Sequence, residues 1–301
     1  MTPQPLFSLL VPNYNNARYL PALVTSVIRQ TYANWELIFV DDASQDDSVA
    51  VMETWRSEKR IKVIRFPVNR GAGAAFGAAA ATASGEILGM LGADDALQED
   101  ALDAMVDAHR SLPDASLINS DLVVCGDDLR PAGRQSSFGP LPAGGTLIRN
   151  CCVSNFATFK RNAYLHTSGF DSSFLRAVDH DIYLKLEEVG SLGYVPEPLY
   201  LYRTHRKGIS QGDNGMRAAQ SALRARGNAY VRRLGTSLPN LTTSEYRDMM
   251  SVYHRREAQV AGGGRFESLR ELARAARFRP GLASSAAFWG SAARSLLKTA
   301  G

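Results

Sequence analysis

Two pairs of adjacent aspartates, each at the end of an apolar run, are the residues best suited to carry chemistry. Asp41 and Asp42 end "WELIFVDD" (35–42), and Asp94 and Asp95 follow "EILGML" (86–91). A single Asp in such a place is typical of a helix cap. Two carboxylate pairs at one edge would repel each other unless a cation or polar ligand neutralised them. Mg²⁺ or Mn²⁺ carrying phosphates would do so, because these ions prefer carboxylate and phosphate oxygens.

The elements that must position these acids are predicted from the spacing of hydrophobic residues, which alternates between strand-like and helix-like over the first hundred residues. Short apolar runs predict strands, and apolar residues spaced by three and four predict helices. The predicted strands are 6–12, 35–42, 61–66 and 86–91, and the predicted helices are 17–31, a segment opened by Ser44, 71–84 and a segment around 102–106. This alternation predicts a mostly parallel sheet with helices on both faces.

A third polar cluster, "PNYNN" (12–16), follows the first predicted strand. In an open parallel sheet, ligands bind outside the carboxyl ends of the strands. We therefore expect Asn13, Tyr14 and Asn15 to share one edge with the two aspartate pairs, and Asp95 to lie at a solvent-facing strand end.

The glycine-rich segment "GAGAAFG" (71–77) offers a competing interpretation, a nicotinamide or flavin dinucleotide site. Its spacing is G-x-G-x-x-x-G rather than G-x-G-x-x-G, and it follows the third strand. We therefore expect these small residues to allow close packing of a helix on the sheet. A nicotinamide oxidoreductase stays a third hypothesis, which predicts that NAD(H) protects the protein against thermal unfolding.

The regular alternation of predicted strands and helices ends at about residue 115. Strands are predicted at "ASLINSDLVVCG", "NFATFKR" and "YVPEPLYLYRTH", a loop at "DDLRPAGRQSSFGPLPAGG" and a helix over 176–189. After residue 213 the pattern is helical.

Composition narrows the classes of partner and compartment. The net charge of +4, much of it from arginines in the C-terminal third, suits a phosphate-bearing ligand or an anionic membrane surface. No base-reading module accompanies it, so we predict no nucleic-acid partner. Three cysteines neither frame a disulfide scaffold nor fit a zinc site. With no signal peptide and no run of 18 apolar residues, we predict a cytoplasmic protein, and peripheral contact with the inner face of the membrane stays open.

Several ordered motifs together resemble the family-2, GT-A-type glycosyltransferases. They are "VPNYNNARYLPALVTSVIRQTYANWELIFVDDASQDDS" (11–48), "NRG" (69–71), "LGADDAL" (91–97) at the place of the family's D-x-D segment, "GFDSSFLRAVDHDIYLKL" (169–186) and "LYRTH" (201–205). The resemblance spans about residues 6–210. It implies an α/β GT-A fold with a mostly parallel Rossmann-like sheet.

The resemblance also implies residue roles. Such enzymes bind a nucleotide-diphosphate sugar of the UDP, GDP or dTDP type. Tyr14 and either Asp41 or Asp42 would lie against the base, and Asp94 near the ribose. Asp95 would ligate Mg²⁺ or Mn²⁺, and His205 would contact the metal or the diphosphate. Pro12, Asn69 and Gly71 would complete the nucleotide-sugar site.

The implied chemistry is transfer with inversion. Asp179 matches the catalytic base, which takes a proton from the acceptor hydroxyl as that oxygen attacks the anomeric carbon. The acceptor would be a sugar or a lipid-linked sugar, in polysaccharide or glycan assembly. For Asp179 alone, a helix N-cap is the simpler interpretation. Gly92, Phe76 and Val178 differ from the residues usual in the family and leave open a nucleotide-binding module without turnover.

The predicted organisation has three parts. Residues 1–115 would form the nucleotide-sugar-binding half, 116–212 the acceptor-binding half and 213–301 a helical C-terminal extension. Apolar and basic residues near the C-terminus suggest that these helices dock on the domain, on a second copy as a homodimer, or on a membrane surface.

Overall fold

Four parallel strands form the first half of the sheet. The computed structural model describes residues 4–136, 139–206, 208, 214–260 and 265–279. The strands lie in the order β3-β2-β1-β4, each joined to the next along the chain by a helix. The elements are β1 (Phe7–Asn13), α1 (Leu20–Ile28), β2 (Trp35–Asp41), α2 (Ser48–Glu53), β3 (Ile61–Arg65), α3 (Ala72–Thr82) and β4 (Ile87–Met90).

The two central strands are buried on both faces, which is why they read as continuous apolar runs rather than as alternating ones. Every residue of β2 is buried, as are six of the seven in β1. The stripe on α1 covers one face of the sheet with Leu20, Leu23, Val24 and Val27. The predicted α/β arrangement is confirmed here.

The second half of the sheet mixes strand directions. β8 runs antiparallel between β4 and β6, and the long β9 runs parallel to β6. The elements are β5 (Ala96–Leu97), α4 (Ala101–Ser111), β6 (Ala115–Cys125), β7 (Pro131–Ser136), β8 (Ala157–Lys160), α5 (Arg161–Leu165), α6 (Val178–Glu187) and β9 (Ser191–Arg203).

The two-residue strand β5 fixes the position of the turn after β4 relative to the end of β9. It pairs antiparallel with the end of β9, with Ala96 opposite Leu201 and Leu97 opposite Tyr200. The turn after β4 therefore lies beside the residues that follow β9. Two residues carry no periodicity, so the sequence pattern does not indicate this strand.

Part of the predicted loop "DDLRPAGRQSSFGPLPAGG" is a strand instead. β7 pairs antiparallel with β6 through a tight turn, in which the Gly126 amide donates to the Arg130 carbonyl at 2.9 Å. Leu129 takes a positive φ of 61° within it. Ladder pairing with β6 outweighs the low strand propensity of this Gly- and Ser-containing segment.

The C-terminal helices α7 (Asn214–Arg232) and α8 (Thr243–Val260) dock on the domain. Ala225, Ala229 and Tyr230 of α7 belong to the same apolar cluster as Leu10 of β1. Helix α9 (Arg265–Phe278) packs on α8. Among the described helices, none is both long and apolar enough to cross a membrane.

The apolar and basic residues on which the membrane or dimer prediction rests lie outside the described residues. They are Leu282, Phe288, Trp289, Arg294, Leu296, Leu297 and Lys298.

Candidate active site

The ends of β1 and β2 are joined by side-chain hydrogen bonds. Asn13 and Asp41 are register partners, and the Asn13 amide donates to Asp41 Oδ1 at 3.0 Å. The Ser44 backbone amide donates to Asp41 Oδ2 at 3.1 Å. Asp41 is buried. Its carboxylate therefore organises the turn after β2.

Asp42 holds the start of α3 against this edge. Its two oxygens accept hydrogen bonds from the backbone amides of Arg70 at 2.6 Å and Gly71 at 2.8 Å. Asn69 donates to the Asp42 carbonyl at 3.2 Å. Nearby in sequence, Tyr14 is 44% exposed. We call Pro12, Tyr14, Asp41, Asp42, Asn69, Gly71, Asp94 and Asp95 the strand-end rim.

The small residues of "GAGAAFG" allow α3 to pack closely on β1 and β2, as expected, with Ala75 in one buried cluster with Leu10 and Ile38, and the glycines also approach a loop. A Cβ at Gly73 would lie 2.3 Å from the Asp171 carbonyl oxygen, and its amide donates to the Phe174 carbonyl at 3.2 Å. Gly71 has a φ of +85°, which disfavours any side chain there. The start of α3 therefore packs on the 171–175 loop.

Asp94 and His205 form a pair at the end of β4. His205 Nε2 lies 2.8 Å from Asp94 Oδ2, and the Asp94 side chain is 26% exposed whereas that of His205 is 3% exposed. The ring of Tyr19 contacts the imidazole, with 4.7 Å between centroids. The Arg203 Nε donates to the Asp94 carbonyl at 2.5 Å. These contacts fix both side chains, and only Asp94 keeps a solvent-facing part.

Asp95 is buried, at 3% exposure, so the expectation of a solvent-facing position is wrong. Tyr200 donates to its Oδ2 at 2.6 Å and the Arg203 amide to its Oδ1 at 2.7 Å. Burial and the neighbouring charge of Asp94 raise the pKa of Asp95 well above its usual range. The physical reason for the burial is the β5–β9 pairing, which folds β9 over this turn. Asp95 thereby ties the strand that leads to His205 to the turn that carries Asp94.

Gly92, the departure from the D-x-D pattern, has a steric explanation. A Cβ at this position would lie 2.5 Å from Asp95 Oδ2 and 3.2 Å from the Tyr200 hydroxyl. The Gly92 amide also donates to that hydroxyl at 3.0 Å. The buried Asp95–Tyr200 pair therefore occupies the space that a side chain at position 92 would need.

The Asp94–His205 pair fits a divalent cation that takes its other ligands from a substrate. No group of three or more His, Cys, Asp or Glu side chains within the described ranges could hold a metal by itself. Mg²⁺ is commonly bound through one or two carboxylates together with substrate phosphates. One part-exposed carboxylate and one imidazole at a ligand-facing edge meet that description.

Asp179 lies in the first turn of α6 and does not cap it. The capping residue is Ala177, in the left-handed conformation, and no side-chain hydrogen bond caps the helix. Asp179 is partly buried and accepts only a local hydrogen bond, from the His180 amide at 2.9 Å, among those seen in the described residues. It lines a cavity of about 460 Å³. No hydrogen bond or ion pair within that part of the chain joins it to the strand-end rim.

Three residues around the Asp94–His205 pair escaped the sequence analysis. Tyr19 donates to Asp127 at 2.6 Å, and the guanidinium of Arg203 lies over the Tyr19 ring at 4.5 Å. The sequence pattern indicates a turn at Asp127 and the start of a helix at Tyr19, and neither indicates a contact with the site. The quoted "LYRTH" contains Arg203, but nothing in the strand pattern separated it from its neighbours.

Comparisons with known proteins identify the family of this chain. The family model described as glycosyl transferase family 2 matches residues 8–174. Chondroitin synthase of Escherichia coli is 30% identical over 210 residues, which cover 68% of this chain and 30% of that protein. The chain thus spans less than a third of that relative's length.

Two solved structures share the fold. Staphylococcus aureus TarS 1–349, in complex with UDP, superposes with a TM-score of 0.64 at 17% identity, over 91% of this chain and 81% of that one. The mannosyltransferase PcManGT of Pyrobaculum calidifontis, in complex with GDP-Man and Mn²⁺, superposes with a TM-score of 0.57 at 17% identity, over 99% and 87%. The fold is therefore GT-A. With a family model that matches more than half of its length, the chain belongs to glycosyl transferase family 2.

Proposed function

We propose that this protein is an inverting, metal-dependent glycosyltransferase that uses a nucleotide-diphosphate sugar. The observation that carries the proposal is the Asp94–His205 pair, at 2.8 Å, next to a strand-end rim with an exposed tyrosine and a glycine-lined helix start. Solved relatives in complex with UDP, or with GDP-Man and Mn²⁺, support the same reading.

The donor nucleotide would lie on the strand-end rim. Tyr14 offers an exposed ring for stacking on the base. Asp42 would shape the base side of this edge by positioning Arg70 and Gly71, whose backbone amides donate to its buried carboxylate. Pro12, Asn69 and Gly71 would shape the same edge. Asp41 would support it by accepting hydrogen bonds from the Asn13 side chain and the Ser44 backbone amide.

The metal would be held by Asp94 and His205 rather than by Asp95. Asp95 has both oxygens engaged by Tyr200 and by the Arg203 amide, whereas the His205 ring, although equally buried, directs its Nε2 at the Asp94 carboxylate. The Asp94 side chain stays partly exposed at the strand-end edge, where ligands bind in open parallel sheets. Mg²⁺ or Mn²⁺ bound there would stabilise the negative charge on the departing diphosphate.

Asp179 would act as the general base. Its carboxylate takes the proton of an acceptor hydroxyl while that oxygen forms a bond to the anomeric carbon. The bond from that carbon to the diphosphate breaks, and its electron pair leaves with the nucleoside diphosphate. Attack opposite to the leaving group inverts the configuration.

The acceptor would be a sugar or a lipid-linked sugar in polysaccharide assembly, since the relatives include a chondroitin synthase. Within the proposed organisation, residues 1–115 bind the donor, 116–212 the acceptor, and 213–301 form the helical extension. His205 would reach the donor half from the acceptor half through the β5–β9 pairing.

Titration calorimetry of the full chain with UDP, GDP and dTDP, each with and without Mn²⁺, tests the proposal. We expect one nucleotide to bind at least tenfold more tightly with Mn²⁺. Asp94→Asn should remove that metal dependence. Asp107→Asn, an exposed aspartate on α4, is the matched control and should keep it.

Turnover is then measured as Mn²⁺-dependent release of nucleoside diphosphate from a panel of nucleotide sugars. Binding without any release, with or without added sugars, would favour the nucleotide-binding module instead. Thermal protection by NAD(H), with no effect of Mn²⁺, would favour an oxidoreductase and contradict the proposal.

A further inference from the structure

The cavity beside Asp179 is built by elements from both the catalytic domain and the C-terminal helices. It is lined by the segment before β8, the first turn of α6, and helices α7 and α8. Its volume of about 460 Å³ is within the range of small-molecule sites. The charged and reactive side chains that line it are Arg149, Cys151, Asp179, His180, Arg226 and Arg256.

Positive charge exceeds negative charge in this lining. Asp179 is the sole carboxylate among the described lining residues, against three arginines. Arg149 is neutralised by Glu245, with Nε 3.1 Å from Oε1. Arg226 and Arg256 form no ion pair with any described residue. Two guanidinium groups therefore line the cavity without an ion-pair partner among the described residues.

Arg226 is partly buried. Its Nε donates to the Ile148 carbonyl at 2.6 Å, which fixes the direction of the guanidinium and leaves its terminal nitrogens for another partner. Burial lowers the pKa of Arg226, so an anion beside it would relieve that cost. A guanidinium held in this way matches the geometry of a phosphate group.

His180 adds to the positive character. Burial disfavours its protonation, but the hydrogen bond to Cys151 and the negative charge of Asp179 outweigh burial and raise the pKa of His180 to about 9. The shift favours the protonated, positively charged form of the imidazole. His180 lines the same cavity as the two unpaired arginines.

Small residues keep the space open. The wall that α7 contributes carries Ala218, Ala219 and Ala222 beside Leu223 and Arg226, so three of its five lining side chains are single methyl groups. A ligand with a compact polar body would fit between this wall and Asp179.

We infer that this cavity is the acceptor subsite and that it takes a sugar bearing a phosphate group, with the phosphate on Arg226 and Arg256 and a hydroxyl of the same molecule at Asp179. The inference rests on the proposed role of Asp179 as base. A phosphate fits better than a carboxylate because it can carry two negative charges against two unpaired guanidinium groups. A neutral sugar would leave both cations without a partner.

Binding of glucose 6-phosphate, glucose, glucuronate and inorganic phosphate to the full chain tests the inference by calorimetry. We expect glucose 6-phosphate to bind at least tenfold more tightly than glucose or glucuronate. Inorganic phosphate should bind more weakly than glucose 6-phosphate, because the sugar contacts are missing. Equal binding of glucose and glucose 6-phosphate would overturn the inference, and equal binding of inorganic phosphate would overturn its sugar part.

The variants are Arg256→Gln and Arg226→Gln, with Arg247→Gln, an exposed arginine of α8, as control. The Arg256 side chain makes no hydrogen bond or ion pair within the part of the chain that the structure describes, so its replacement should not disturb the fold. Arg256→Gln should weaken glucose 6-phosphate binding at least tenfold, and Arg247→Gln should not. Unchanged binding in both Arg256→Gln and Arg226→Gln would contradict the inference.

Cys151 reports the location of the ligand. It lines the cavity and is partly accessible, so its alkylation by iodoacetamide can be followed by peptide mass spectrometry. Glucose 6-phosphate should slow this reaction at least fivefold. UDP with Mn²⁺ should leave it unchanged. Protection by UDP with Mn²⁺ alone would place the donor phosphates in this cavity and overturn the inference.

The two proposals fail separately. Absence of Mn²⁺-dependent nucleotide binding in the unaltered protein would contradict the glycosyltransferase proposal, whether or not glucose 6-phosphate binds. In Asp94→Asn, glucose 6-phosphate should bind as in the unaltered protein. A parallel loss there would show that the phosphate lies on the donor side.

Discussion

The strand-end rim and the cavity beside Asp179 hold their charged groups in opposite ways. In the rim, the carboxylates of Asp41, Asp42 and Asp95 accept backbone amides or buried hydroxyls and are closed off from solvent. In the cavity, two arginines from two different helices lack counter-ions among the described residues. The rim is built from residues close to strand ends, whereas the cavity exists only because the C-terminal helices dock. The paired aspartates of the rim are thus mostly engaged in structural hydrogen bonds. The charged groups without an ion-pair partner among the described residues are the two arginines of the cavity.

The largest effect that separates the two regions is expected for Asp179→Asn. Removing the base should lower transfer by about 10²- to 10⁴-fold. Mn²⁺-dependent nucleotide binding should stay within about twofold, because Asp179 makes no contact with the rim among the described residues. Nucleoside diphosphate release and calorimetry measure the two properties. Turnover equal to that of the Asp107→Asn control would remove Asp179 from the mechanism.

Arg233→Met tests how the helical side is anchored. Arg233 is buried and pairs with Glu187 at 2.8 Å and Glu188 at 3.0 Å, so its loss leaves two carboxylates with fewer partners. We expect the free energy of unfolding in urea to fall by roughly 3 kcal/mol or more. The exposed Arg247→Met is the control and should change it by less than about 0.5 kcal/mol. A small effect for Arg233→Met would mean that contacts other than this buried ion pair hold α7.

A comparison of Asp95→Ala with Asp94→Ala sharpens the distinction inside the rim. Asp95→Ala leaves the Tyr200 hydroxyl and the Arg203 amide without their acceptor, which should lower the free energy of unfolding by about 1–3 kcal/mol. Asp94→Ala should cost less stability but abolish the Mn²⁺ dependence of nucleotide binding. Urea unfolding measures the stability of both variants, and calorimetry measures the Mn²⁺ dependence of their nucleotide binding. The reverse pattern would restore Asp95 as the metal ligand.

The smallest effect concerns His109, which belongs to neither region. Burial, and to a lesser extent the charge of Lys160, lower the pKa of His109 to about 3. Between about pH 3 and 6.5 the unfolded chain binds a proton that the folded protein does not, so stability falls as pH falls. His109→Gln should reduce this slope by up to about 1.4 kcal/mol per pH unit. Urea unfolding at pH 7, 6 and 5 measures it, and identical slopes would place the acid sensitivity in another group.

The local pattern was enough to predict most of the sheet and one edge of the site. Continuous apolar runs identified β1, β2 and β4, because strands buried on both faces need no polar alternation. The polar residues at their ends then had to share an edge. The two-residue β5, the hairpin strand β7 and the short helix α5 could not be predicted, because pairing with distant residues stabilises such short elements.

The different surroundings of Asp94 and Asp95 show most clearly what the local sequence could not predict. Their sequence neighbourhood is shared, and nothing local distinguishes one carboxylate from the other. The pairing of β5 with β9 places Tyr200 and Arg203 over Asp95 and leaves Asp94 at the edge with His205. The steric reason for Gly92 follows from the same pairing.

The sequence by itself determined the family, the α/β alternation and the edge where the acids meet, because these depend on residue order and on periods of two and 3.6 residues. Tertiary structure alone decided which acids are buried, which arginines face Asp179 and where the C-terminal helices dock. Burial and charge pairing depend on contacts between residues more than a hundred positions apart, such as Asp95 with Tyr200. No local pattern of residues encodes those contacts.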